Sequence, residues 1–202
     1  MAKFEIPNSY TWAFGAILFL SLASSAPAAS PDRIRGPVDL ARTRAVPFNI
    51  HPLAQSRYDR GAVDPAMHMD RILILFKPSS AQQADLDRLL ADRQNPSSPL
   101  FHRWLTPEEF GNRFGLSAGD HARVVAWLAA EGLTVNESGR ARNWVAFSGT
   151  ADRVSRTLRT SLRLFRVDGE THFANSTDPA VPEGLADVVG GFLGLNDFYP
   201  KP

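Results

Sequence analysis

The 202-residue chain contains no cysteine, which excludes disulfides, thiolate zinc sites and cysteine nucleophiles, although it does not exclude export. Lysine is nearly missing. Lys3, Lys77 and Lys201 stand against 19 arginines, and the net charge of +1 gives no case for nucleic acid as a partner. The five histidines, His51, His68, His102, His121 and His172, are scattered with no H-x-x-x-H pair, so a metal site has little support. No G-x-S-x-G elbow, phosphate-binding G-x-x-x-x-G-K loop or G-x-G-x-x-G turn is present. Nor is there a long apolar run. The longest, residues 11–24, has about 14 residues, and a spanning helix needs roughly 20. With 44% hydrophobic residues the chain can nevertheless build a core.

The apolar run follows Lys3 and leads to Ala26-Pro27-Ala28-Ala29, which is the pattern of a signal peptide. Residues 1–29 are therefore expected to direct secretion, with cleavage after Ala28 or Ala29; an uncleaved membrane anchor is the competing reading. Residues 30–68 hold Pro31, Pro37, Pro47, Pro52 and Pro65 with little periodicity, and are expected to form an extended linker outside the domain. The domain is expected over 69–199.

Within it, Ile72 to Phe76 is a continuous apolar run expected to form a central strand buried on both faces. Ser80 and Gln83 form a capping-box pattern for a helix whose stripe is Leu86, Leu89 and Leu90, ended by Asn95-Pro96. Thr106-Pro107-Glu108-Glu109 starts a short helix, and Ser117 with Asp120 starts a longer one carrying Val124, Trp127 and Leu128 to Gly132. Strands follow at Leu133–Val135 and Trp144–Phe147, and Thr150 caps a fourth helix with Ala151, Val154 and Leu158 inward. Leu162–Val167 and Glu170–Phe173 flank Asp168-Gly169, a type I′ turn signal, and a last helix is expected from Glu183 to about Val189. Without the inserted helices the order is strand, helix, strand, strand, helix, strand. This predicts an α+β fold, a ferredoxin-like split βαβ with an antiparallel sheet, helices on one face and inserted helices.

Few groups suggest chemistry. Glu108 with Glu109, and Asp85 with Asp87, read as solvated acids of helix surfaces rather than acid–base pairs. Ser148-Gly149-Thr150 reads as a helix cap rather than an anion site. Arg153, Arg156, Arg159 and Arg163 recur at intervals of three and four. The last three are expected to line one face of the helix capped by Thr150 with Arg153 beside them, either solvated or docked on an acidic partner.

From Asn95 the residues become specific. Asn95-Pro96-Ser97-Ser98-Pro99-Leu100-Phe101-His102-Arg103-Trp104-Leu105-Thr106-Pro107-Glu108-Glu109-Phe110-Gly111, with Phe114-Gly115 after it, resembles the signature of the pro-kumamolisin activation domain, the propeptide of sedolisin-family serine-carboxyl peptidases. Phe147 to Ala151, with Gly149 and Thr150, looks like that family's strand-to-helix junction. Gly169 with His172-Phe173-Ala174-Asn175 is similar to its hairpin. Asp178-Pro179 and Val181-Pro182 resemble its D-P-x-[VI]-P segment, and Leu195-Asn196-Asp197-Phe198 its ending. The resemblance covers about residues 48–200 and implies the same ferredoxin-like fold. It also implies an intramolecular chaperone and inhibitor, released at low pH from a subtilisin-like catalytic domain of several hundred residues with a Ser/Glu/Asp triad and a calcium site. None of those elements is in this sequence, so the chain as given is expected to be no enzyme and to need no cofactor, calcium belonging only to the catalytic domain. Residues 200–202 would open the activation linker. The partner would be a sedolisin-type catalytic domain in cis or in trans. A free-standing inhibitor, or an extracellular binding module reusing the fold, stays open. Within the motifs, His102 and His172 read either as pH sensors or as loop-ordering hydrogen-bond partners. Trp104, Phe110 and Phe114 are expected to anchor the core.

Overall fold

The computed structural model describes residues 30–199. The expected signal segment with its cleavage site at Ala28 or Ala29, and residues 200–202, lie outside the described residues. Among the described residues no helix is long and apolar enough to cross a membrane.

The chain runs β1 (Thr43–Ala45), β2 (Asp59–Ala62), β3 (His68–Phe76), α1 (Ser80–Gln94), α2 (Pro107–Phe114), α3 (Ala118–Ala130), β4 (Thr134–Ser138), β5 (Trp144–Thr150), α4 (Ala151–Thr157), β6 (Leu162–Val167), β7 (Glu170–Asn175), β8 (Ala180–Pro182) and β9 (Val189–Leu193). The main sheet has the order β4-β5-β3-β9, every neighbour antiparallel. That is the ferredoxin-like order, with α3 and α4 as the crossovers and α1 and α2 inserted before α3. The α+β class and the split βαβ arrangement are as the sequence predicts.

The closing strand differs. Residues 162–167 do not complete this sheet; they form β6, the centre of a second antiparallel sheet, β2-β6-β7. The fourth strand is β9, which begins at Val189, where the helix expected from Glu183 to about Val189 would have ended. Only Glu183–Leu185 coils, as a short 3₁₀ turn. Gly190 and Gly191 just beyond Val189 disfavour continuing any helix, and Leu73 to Phe76 offers β9 a ladder of backbone partners. The Asp168-Gly169 turn behaves as predicted, with φ of 51° and 85° joining β6 to β7.

Capping is strong but shifted by one residue at α1. Ser79, not Ser80, is the N-cap, and Gln82, not Gln83, closes the box. Thr106 and Glu109 form a complete capping box at α2. Ser117 accepts from the Asp120 amide at 3.0 Å, but the Asp120 carboxylate does not reciprocate. It is wholly buried and accepts from the Arg33 amide at 2.6 Å and the Ile34 amide at 3.0 Å.

This overturns the expectation that 30–68 is a linker outside the domain. Ile34, Val46 and Val63 are buried in the main core, β1 pairs with β8, and β2 is an outer strand of the second sheet. Low periodicity misled because short proline-rich segments can be ordered by distant partners rather than by their own hydrogen bonds.

Arg113 reaches from α2 to Asp85 of α1 with two hydrogen bonds, 2.6 and 2.8 Å long. The Arg113 hydrogen bonds hold the Asp85 carboxyl below its usual range. A depressed carboxyl stabilises the fold above the unfolded value near 4, and that contribution is lost as pH falls through the depressed folded value. The Asp85 contribution, read as the difference between wild-type and Asp85→Asn urea midpoints, should therefore be flat from pH 7 to 5 and fall below about 4. Asp85→Asn should lower the plateau by only ~0.2–1 kcal/mol, because the pair is partly solvated, and should shrink the acid fall. An unchanged acid fall in the variant would show that the pair contributes nothing.

Candidate docking site

Alternation along the main sheet separates two faces. Ile72, Ile74, Val145, Phe147 and Phe192 belong to one buried cluster with Val124, Trp127 and Leu128 of α3 and Val154 of α4. The opposite face follows from the register. Leu73 pairs with Ala146 and Leu193, and Leu75 with Trp144 and Gly191. Leu73, Leu75 and Trp144 are only partly buried, and Leu193 is 54% exposed. Arg71 and Glu137 stand at the rim 3.5 Å apart, with the Arg71 guanidinium 6.0 Å from the Trp144 ring. An apolar sheet face with a charged rim suits protein docking.

The block that carries the resemblance lies elsewhere, in the α1–α2 loop and α2. Leu105 is half-buried, Pro107 opens α2 beneath its Thr106 cap, and Phe114 is buried and 5.1 Å from the half-buried Phe110 ring. Trp104 corrects the expectation of a core anchor: it is 81% exposed, with the Arg93 guanidinium over its ring at 5.5 Å. His102 has φ 55° and stacks on Phe101 at 3.8 Å. Gly111 is required by close approach, since a Cβ there would sit 2.9 Å from the Ala141 backbone. Arg142 donates from this β4–β5 loop to the carbonyls of Leu116 and Gly111, at 2.7 and 2.9 Å.

The carboxylates expected to be solvated are in part paired. Glu108 accepts from Arg140 at 2.6 Å, and Glu109 caps the Thr106 amide at 2.7 Å. At the next junction a Cβ on Gly149 would come within 2.6 Å of Leu133, and Thr150 caps α4 by accepting from Arg153 N.

The hairpin residues gather around an asparagine that sequence reading missed. Buried Asn175 donates to Asn49 O and Thr177 O, each at 3.0 Å, and Asp178 accepts from Asn49 N at 2.9 Å. Pro179, also buried, accepts from Val46 N at 2.7 Å. Asn49 in turn accepts from Phe192 N at 2.8 Å. The Asn49 signal in the sequence is weak, one polar residue among prolines. His172 lies 3.3 Å from Asp197 and stacks on Phe198, whose other side stacks on His51, each pair at 4.3 Å. Burial pushes the His51 imidazole down, and His172 adds to that.

The four arginines do not share a face. Helix α4 ends at Thr157. Arg156 pairs with Asp152 within it, Arg159 follows it at φ 49°, and Arg163 lies on β6, bonded to Asp59. Arg153 packs beside Gly132. The interval of three and four fails because the helix is too short to carry it.

The family model described as "Pro-kumamolisin, activation domain" matches residues 55–198. The chain is similar to xanthomonalisin of Xanthomonas sp. (31% identical; 89% of this chain, 22% of the relative). It is also similar to sedolisin of Pseudomonas sp. (26%; 57% and 20%) and kumamolisin of Bacillus sp. (24%; 71% and 25%). It thus spans about a quarter or less of the relatives it matches. With the ferredoxin-like sheet, its inserted helices and a match over most of the chain, this protein belongs to the pro-kumamolisin activation domain family of sedolisin-type peptidases.

Proposed function

We propose that this domain is the secreted chaperone and inhibitor of a sedolisin-type catalytic domain, and that it docks through the open face of its main sheet. The observation that carries the proposal is the apolar surface of Leu73, Leu75, Trp144 and Leu193 on the face opposite the core. A preformed sheet face gives a large catalytic domain a template, lowering the cost of its slow non-local pairings. The same contact, kept after folding, inhibits.

Arg71 at the rim offers a cation to an enzyme carboxylate. Such a pair depresses the carboxyl in the complex. The complex is then favoured above the free value near 4 and loses that contribution as pH falls through the bound value, which gives release in acid.

The test is an inhibition constant for the pure chain against mature xanthomonalisin at pH 7 and pH 4. Inhibition should be tighter at pH 7. Leu75→Arg should weaken it at least tenfold, about 1.4 kcal/mol, by placing an unpaired charge in an apolar contact. Far-UV circular dichroism should be unchanged, because Leu75 is only partly buried. Equal inhibition by wild type and Leu75→Arg would move the docking site off this face.

A further inference from the structure

We propose that Phe48 is a preformed aromatic anchor that inserts into an apolar pocket of the same catalytic domain, at the β9 margin of the open sheet face; this rests on the docking function proposed above. Phe48 is 99% exposed and its backbone is left-handed, with φ 64°. For a bulky side chain that conformation is an outlier, held only where the surroundings impose it.

The surroundings are visible. On one side, β1 is paired with β8 and Val46 is buried, its amide bonded to Pro179 O at 2.7 Å. On the other, Asn49 is held at both ends. Its side-chain amide donates to Val46 O and Pro47 O at 2.8 Å, its Oδ1 accepts from Phe192 N, and its backbone is bound by Asp178 and Asn175. The loop is fixed on both sides of one fully solvated ring. Nothing in this network needs a phenyl group, and glycine would adopt the backbone without strain.

The position selects the occupant. Gly191 stands on the open face beside Leu75, and a Cβ on it would lie 3.3 Å from Asn49 Oδ1. Phe48 therefore borders the strand that contributes Leu193 to the face. A partner covering Leu75 and Leu193 meets the ring as well. A rigid aromatic loses little conformational freedom on binding, and such residues dominate interface energetics. The chain spans 22% of xanthomonalisin, so the rest of that relative supplies ample surface for the pocket.

The experiment compares the full chain with Phe48→Gly and Phe48→Ala as inhibitors of mature xanthomonalisin at pH 7. Both variants should inhibit at least tenfold more weakly. Phe48→Gly should keep or raise the urea midpoint, since it relieves the left-handed backbone, so lost inhibition cannot be lost folding. Wild-type inhibition that weakens with Leu75→Arg but not with either Phe48 variant overturns the anchor and leaves the sheet face standing. A wild-type chain that does not inhibit overturns the docking function, and the anchor with it. A self-associating chain that Phe48→Gly turns monomeric would assign the ring to a second copy and overturn the proposal.

Discussion

Asp120→Ala is expected to detach the N-terminal segment and cost about 3 kcal/mol or more. Asp120 is 0% exposed, and its carboxylate receives the amides of Arg33 and Ile34 and, at 3.3 Å, the Arg123 guanidinium. Hydrogen bonds to a charged group contribute ~1.5–3 kcal/mol each, and removing the acceptor leaves two amides without their partner. Arg123 also donates to Ile34 O, so the variant leaves a cation beside a loosened strand. Ile34, 2% exposed, would lose its place in the core. Two measurements check this. The urea midpoint should fall, and trypsin should cut at Arg33, Arg35, Arg42 or Arg44 much faster than in wild type. A variant that resists trypsin as well as the wild type would show that the segment is held by β1–β8 pairing alone.

Gly115→Ala is the second large effect. A Cβ at Gly115 would fall far inside the contact distance of the Ala141 carbonyl oxygen and 2.8 Å from Gly111 O. Both obstacles are backbone, so neither can swing aside. The end of α2 must part from the β4–β5 loop, where Arg142 is bonded to Gly111 and Leu116. Overpacking typically costs about 1–3 kcal/mol, and backbone against backbone belongs at the upper end. At roughly 2–4 °C per kcal/mol for a domain of this size, the melting temperature should drop by about 6–12 °C. Gly184→Ala, where an added Cβ meets nothing within 4 Å, is the control and should change little. A Gly115→Ala protein melting with the wild type would refute the close approach.

The two variants separate what could be read before the fold from what could not. Gly115 belongs to the Phe114-Gly115 pair that helped carry the resemblance, so its importance was legible, although the reason was not. The Ala141 backbone that forbids a side chain lies 26 positions away. Asp120 was read as the partner of a capping box. Its spacing from Ser117 was right, but the carboxylate serves amides 86 and 87 positions upstream, and no local pattern points there.

The sequence by itself determined the local structure: four capped helices, the Asp168-Gly169 hairpin, the central strand around Ile72–Ile74, though buried on one face rather than both, and the order of elements that makes a ferredoxin-like sheet. Caps, turns and apolar periodicity act over a few residues, so they are written in neighbouring letters. Only the tertiary structure decided which strand closes the sheet. β6 and β9 are both short strands with buried apolar residues, and the choice falls to the backbone edge that β3 leaves unpaired. It likewise placed Trp104 in solvent, scattered the four arginines, and drew residues 30–68 into the body through Asp120 and Asn49. Those outcomes rest on hydrogen bonds and contacts between residues far apart in the chain, where a single polar side chain satisfies backbone that its own segment cannot.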